Sequence, residues 1–326
     1  MVKRSLALAA ILSCVLVWGF SFISIKIAVN VFPPMTLGAV RFAIALVFLY
    51  ILKKKKAPDE KIKKQDIPLL AGAGLTGVTL YFFFENNAVY LIPASEASII
   101  TAAIPVLILI ADNIGDKIAS SRNRNHGNSI NTSANTRERL LSRVILPGLA
   151  ALISITGVGL VAGVSFALSG TALGYLYMSG TCISWVLYCF LTRPLFSQHS
   201  RIFIVFWQSA IGFLGFLPFA FLELRTIWHS LITQMPGIDV WGHVLFLGIF
   251  CSAMGYWFYS ISLQTLGLGT SSLFINFIPV VSAVGGYFVL GERLSPLQWL
   301  GAALVLAGVY LAMAVPNIIK KKNNSI

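Results

Sequence analysis

Three ionisable residues, Lys26, Arg41 and Glu85, interrupt otherwise apolar stretches of the chain. A charge inside such a stretch needs an ion partner or a wet cavity, because removing it from water unpaired is expensive. If the stretches are helices rising about 1.5 Å per residue, Arg41 and Glu85 both lie about 9 Å below one surface, each roughly six residues from an end. Equal depth permits a pair. Arg41 then reads either as a structural ion partner or as a planar fork for an anionic group of a ligand. Glu85 is followed by Asn86 and Asn87, and reads as an interhelical polar cluster or as a carboxylate that exchanges a proton. Protonation releases a cationic partner and so creates two states of different pair energy, which makes Glu85 the expected coupling residue and Arg41 its resting partner. Lys26, near the end of its stretch, reads as a snorkelling headgroup contact. Glu96 lies close to the same layer.

Uncharged groups supply the remaining chemistry. Pro105 and Pro279 each remove a helix hydrogen bond and expose the carbonyl four residues back, at Thr101 and Ile275. Ser98 and Thr101 precede the first proline; Ser271, Ser272 and Asn276 precede the second. With the aromatic faces of Trp18, Tyr81, Trp185, Tyr188, Trp257 and Tyr259, these kinks are expected to wall one cavity. The expected substrate contacts are Trp18, Tyr81, Asn86, Thr101, Trp185, Tyr188, Trp257 and Asn276. The structural alternative for each aromatic is plain packing.

The elements that position these groups follow from composition. The chain has 326 residues, 57% hydrophobic and 11% charged, with a mean hydropathy of +0.83. So few charges cannot cover the water-facing surfaces of soluble domains, and 23 Phe and 7 Trp exclude disorder. The bilayer is the solvent. A spanning helix needs about 20 apolar residues, so charges act as punctuation. Residues 5–25, 202–222 and 294–319 carry no charge and hold one span each, while the longer charge-free stretches 144–192 and 240–291 hold two each, divided at glycines. Ten spans result: 6–29, 35–52, 67–91, 97–113, 144–163, 172–191, 202–222, 241–263, 271–290 and 297–315. A barrel would alternate apolar and polar residues with period two, and this chain does not.

The net charge of +13 is a topology signal and a contact for anionic lipid rather than a nucleic-acid footprint. With ten spans, 20 of the 24 basic residues lie on the side of the amino terminus. Positive charge marks the cytoplasmic face, so both termini are expected inside, in the cytoplasmic (inner) membrane. The polar loop 117–142 is then cytoplasmic. Cys14, Cys182, Cys189 and Cys251 have no metal-ligand spacing. No cofactor and no metal is expected.

An internal repeat organises the chain. Trp18 precedes Lys26 by eight positions, as Trp185 precedes Arg193; Ser98 precedes Pro105 by seven, as Ser272 precedes Pro279; Gly115-Asp116 matches Gly291-Glu292. Residues 1–163 and 164–326 then form two five-helix units, and an odd number inverts the second relative to the first. The expected fold is all-α, with ten transmembrane helices as two inverted repeats.

Trp18-Gly19, Phe22, Lys26, Pro33-Pro34 and Arg41-Phe42 resemble the opening signature of the EamA-type drug/metabolite transporter family. Pro279, Gly291-Glu292-Arg293-Leu294, Trp299-Leu300-Gly301 and Gly308-Val309 resemble its close. The resemblance implies ten helices, cytoplasmic termini, a cavity between the halves and export of amino acids or similar metabolites. Asp116 stands where the family has Glu, and the 117–142 insertion follows it.

Other classes fit less well. A membrane enzyme acting on lipid-linked substrates needs an activated nucleophile, a metal cluster or paired acids, and the four His residues sit in loops or at span ends. A channel would line its pore with like charges or a repeated filter. A nucleotide-driven pump needs a Gly-x-x-x-x-Gly-Lys loop, which is lacking. A secondary transporter of a small-molecule metabolite, working by alternating access, is the reading that remains. Its partners are that substrate, membrane lipid and protons, with no nucleic acid; the oligomeric state stays open.

Overall fold

The computed structural model describes residues 3–92, 100–101, 103–105, 107–108, 111, 145–161, 172–233, 236–282, 284 and 295–323. Among the described residues all regular structure is helical. The expected spans at 97–113, in most of their length, and the loop at 117–142 lie outside them.

Charge punctuation and apolar length produce the helices in chain order: α1 (Arg4–Val29), α2 (Pro34–Lys56), α3 (Lys64–Leu91), α4 (Leu146–Val161), α5 (Ala172–Thr192), α6 (Arg201–Thr233), α7 (Ile238–Leu266), α8 (Leu268–Ile275) and α9 (Pro296–Asn323). Among the described residues, six helices are long and apolar enough to cross a bilayer: α1, α2, α3, α5 with its short continuation to Ser197, α6 and α7. They coincide with the expected spans 6–29, 35–52, 67–91, 172–191, 202–222 and 241–263. The chain is a multi-pass membrane protein.

Helix ends obey the expected local chemistry. Pro34 opens α2, where its missing N–H costs nothing, and Lys53, Lys54, Lys55 and Lys56 close it, next to the negative end of the helix dipole. Gly267, with φ +86°, separates α7 from α8 in a conformation that glycine adopts without strain.

Two helices depart from the regular α pattern in the same way. The hydrogen bonding of α3 loosens to π-helical over Leu75–Leu80, and that of α7 over Leu247–Gly255. Such turns widen a helix by one residue and re-aim the side chains that follow. In α3 the next residue is Tyr81; in α7 it is Tyr256. The two prolines also act alike. Ala103 and Phe277, each two residues before its proline, donate to carbonyls three residues back, at 3.0 Å in both cases. Regular bonding resumes with Leu107 to Ala103 and Val281 to Phe277.

α2 and α6 pack antiparallel along their length, with α2 also against the π-helical segment of α7 and α6 against that of α3. α1 packs on α7, and α5 on α3. The largest cluster of buried side chains among the described residues runs through these six helices, from Ile11 and Phe42 to Trp185 and Tyr259, and on to Phe274 of α8 and Ile278 beyond it.

Candidate functional site

Where α1, α2, α3, α5 and α7 converge, a small cavity opens beside the described residues around Pro105 and Pro279. Its walls include Trp18, Arg41, Tyr81, Glu85, Thr101, Trp185 and Tyr256. Its volume is about 50 Å³, room for a few water molecules and far below the roughly 300–1,000 Å³ of typical ligand pockets.

The aromatic wall is a connected set of ring contacts centred on Trp185. Trp185 meets Trp18 at 5.5 Å, Tyr81 at 5.1 Å, Tyr188 at 5.1 Å, Tyr259 at 5.1 Å and Tyr256 at 5.9 Å between centroids. The widened segments of α3 and α7 position these rings. Trp18 Nε1 donates to the Cys251 carbonyl at 3.0 Å, and the Tyr256 hydroxyl donates to the Gly77 carbonyl at 2.6 Å. Both acceptors lie within the π-helical segments. Close approach requires glycine in two places. A Cβ on Gly77 would overlap the Tyr188 ring, and one on Gly255 would overlap the Trp18 indole nitrogen.

The charged pair differs from expectation. Arg41 is 2% exposed and Glu85 is 5% exposed. Both line the cavity, as equal depth requires, yet no ion pair joins them. Arg41 Nε donates to Ser252 Oγ at 2.8 Å, and its guanidinium carbon lies 4.3 Å from the Phe82 ring centroid. One terminal nitrogen, Nη1, is buried with no acceptor. Glu85 Oε1 instead accepts the Tyr81 hydroxyl at 2.8 Å. The reason is local: Tyr81 sits one helical turn before Glu85, and the π-helical segment of α7 brings Ser252 to Arg41. An unpaired buried donor costs about 1–3 kcal/mol, so this guanidinium is poised for an anionic acceptor.

The remaining expected site residues divide. Trp18, Tyr81, Thr101 and Trp185 line the cavity, and Tyr188 backs it, fully buried. Asn86 does not line it: its Nδ2 donates to the Pro34 carbonyl at 2.9 Å and fastens α3 to the start of α2. Asn276 is buried between two cavity-lining residues, Ile275 and Ile278, with neither amide atom paired. Trp257 faces another way, stacking on Phe258 under the Lys56 ammonium. Ser98 and Glu96 lie outside the described residues, and Lys26 falls within α1. Tyr256, Ser252 and Phe82 are site residues that the sequence reading passed over. The signal for Ser252 was a small hydroxyl within an apolar span, opposite a buried arginine.

Residues 5–115 and 172–314 match the EamA-like transporter family. An uncharacterized transporter of Archaeoglobus fulgidus is 26% identical over 91% of this chain and 94% of its own length. A probable terminal-alkyne amino-acid exporter of Streptantibioticus cattleyicolor is 24% identical over 95% of this chain and 94% of its own. A probable amino-acid metabolite efflux pump of Escherichia coli K12 is 26% identical over 91% of each. A solved crystal structure of a protein, 18% identical, superposes with a TM-score of 0.66 over 98% of this chain and 99% of that one, a likeness of fold alone.

Proposed function

The chain belongs to the EamA-like transporter family, and we propose that it is a secondary exporter of small amino-acid-like metabolites, working by alternating access in the cytoplasmic membrane. Its ten helices form two inverted five-helix repeats, residues 1–163 and 164–326, with both termini cytoplasmic. The family match in two separate stretches supports this organisation, as do the like-built segments before Tyr81 and Tyr256 and before Pro105 and Pro279. The names of the Streptantibioticus and Escherichia relatives support the substrate class.

The observation that carries the reading is that a guanidinium with one nitrogen, Arg41 Nη1, lacking an acceptor and the Glu85 carboxylate, unpaired with it, line one cavity otherwise walled largely by aromatic and aliphatic side chains. An α-amino acid presents the complementary groups. Its carboxylate satisfies Arg41 Nη1, its ammonium meets Glu85, and its side chain lies against Trp18, Tyr81 and Trp185. The cavity of about 50 Å³ is too small for an amino acid, so a substrate is accommodated only after the halves part. Glu85 bound to a proton no longer attracts an ammonium. Proton and substrate thus compete for one carboxylate, which suffices for exchange of metabolite against protons.

The test is metabolite release from cells producing the full chain, compared with cells carrying Arg41→Gln. Expected is accumulation outside of one or more α-amino acids, reduced about 10- to 100-fold by Arg41→Gln, the span of one charged hydrogen bond. Release confined to compounds lacking a carboxylate, or equal release by the variant, would overturn the assignment.

A further inference from the structure

A second and larger concavity lies away from the aromatic cavity, at the ends of α1, α2, α6 and α7. Its volume is about 610 Å³. One wall is apolar, made by Leu6 and Ala9 of α1 and by Phe258 and Ile261 of α7. Its rim is cationic, made by Lys56 at the end of α2 and Arg201 at the start of α6. Lys56 Nζ stands 4.4 Å over the Trp257 ring, and Arg201 Nη1 donates to Gln264 Oε1.

No carboxylate lies within ion-pair distance of either cation among the described residues. Two of the nearby acids, Glu60 and Asp66, are already engaged. Glu60 accepts from the Ser200 backbone at 2.7 Å and faces His199 Nδ1 at 3.0 Å, and Asp66 faces His199 Nε2 at 2.9 Å. Around the rim, Lys53, Lys54 and Lys55 share the last turn of α2 with Lys56, and α1 begins at Arg4. The groove therefore joins a cationic mouth to an apolar wall that continues along α1, where Leu16 and Phe20, three and seven residues beyond the lining residue Ser13 and so on its face, are exposed.

We propose that this groove binds the headgroup of an anionic phospholipid between Lys56 and Arg201, with one acyl chain along the exposed apolar face of α1. The chemistry is complementary at both ends. The phosphate takes the two cations and the Trp257 ring flanks the ammonium that grips it, while the chain covers surface that water would otherwise meet. A soluble phosphate satisfies only the rim. This site lies on the other side of α7 from Tyr256 and Tyr259, so it is separate from the aromatic cavity.

The test is native mass spectrometry of the purified full chain in detergent, titrated with phosphatidylglycerol, with phosphatidylcholine of the same acyl chains, and with glycerol phosphate. Expected is preferential retention of one phosphatidylglycerol, weakened about 10- to 30-fold by joint Lys56→Gln and Arg201→Gln, as two cations at a membrane surface imply. The paired control, Lys54→Gln with Lys55→Gln, removes equal charge outside the groove and should retain the lipid. Should both pairs weaken it alike, the attraction is diffuse charge and the site is wrong. Equal binding of phosphatidylcholine, or competition by glycerol phosphate at equal concentration, would overturn it as well. If Arg201→Gln does not fold, the single Lys56→Gln decides, with a several-fold loss expected and none fatal to the proposal.

Discussion

Glu223, on α6, caps the amino end of α2 through Thr36: Oε2 accepts the Thr36 backbone N–H at 2.7 Å and its hydroxyl at 3.0 Å, while Oε1 accepts the Met35 N–H at 3.2 Å. At the opposite end of the same antiparallel pair, Glu60, just beyond α2, accepts the Ser200 N–H at the start of α6. The first N–H groups of α2 are thus met directly by an acid from α6, whereas α6 is capped by Ser200, whose Oγ accepts the Phe203 N–H and whose own N–H and hydroxyl Glu60 holds. The pair is closed at both ends, and it joins sequence from both halves of the chain. A charged acceptor at a helix start also meets the positive end of the dipole.

These caps predict stability effects rather than transport effects. Glu223→Gln and Glu60→Gln should each lower the unfolding free energy of the purified protein by about 1–2 kcal/mol, the usual scale of a lost cap. Because the caps sit at opposite ends of α2, the double variant should lose the sum to within about 0.5 kcal/mol. Denaturation of the three variants in one detergent checks this, and a double variant no worse than either single one would refute independence.

The contact of Gly255 with Trp18 predicts a size limit. Gly255→Ala places a methyl against the indole nitrogen that donates to the Cys251 carbonyl. Either the ring moves and the hydrogen bond is lost, or α7 moves; overpacking of this kind costs about 1–3 kcal/mol. Glycine is a good choice here only because the ring is there. Trp18→Phe should therefore relieve part of the damage, so that the double variant is more stable than Gly255→Ala alone. Thermal unfolding of all four forms decides the point.

The long apolar runs made the six crossing helices legible, because charge is scarce and lies mostly at or near helix ends. Depth was legible for the same reason, so Arg41 and Glu85 fall on one cavity. Direction was not. Helices apolar on every side carry no stripe to show which face meets a neighbour, and one position turns a side chain by about 100°. Tyr256 enters the cavity and Trp257 leaves it for this reason. The π-helical segments were hidden too, since no local sequence signal marks them; in the structure they are where α2 packs on α7 and α6 on α3. They give Arg41 its hydroxyl partner in Ser252, which no spacing rule would have chosen over Glu85.

Trp18 predicts a separation of shape from polarity. Trp18→Phe keeps an aromatic face toward Trp185 but removes the donor to the Cys251 carbonyl. The loss of one neutral hydrogen bond is worth about 1 kcal/mol. Release of the exported metabolite should fall about fivefold, whereas Trp18→Ala, which also opens the aromatic wall, should abolish it. Trp299→Phe, on a residue 57% exposed, gives the control for loss of an indole as such. Equal effects at Trp18→Phe and Trp299→Phe would remove Trp18 from the site.

Glu85 predicts the response to an imposed proton gradient. The variant Glu85→Gln keeps an oxygen to accept the Tyr81 hydroxyl, now 2.8 Å from Oε1, and so retains the local fold while losing titration and charge. It should still insert and unfold at a temperature close to that of the parent. Its transport should be slower, because an ammonium no longer finds an anion, and should be indifferent to a pH step across the membrane. Glu85→Leu separates the structural share: it leaves the Tyr81 hydroxyl without its acceptor at a cost of about 1–3 kcal/mol, so its unfolding temperature should drop where that of Glu85→Gln does not. Proteoliposomes loaded with the metabolite and subjected to acid outside, then inside, read the coupling directly. If Glu85→Gln keeps the full response of the parent, proton exchange runs through another group and Glu85 is only the anchor of Tyr81. If the response is lost together with the fold, the comparison with Glu85→Leu shows it, because both variants then unfold alike.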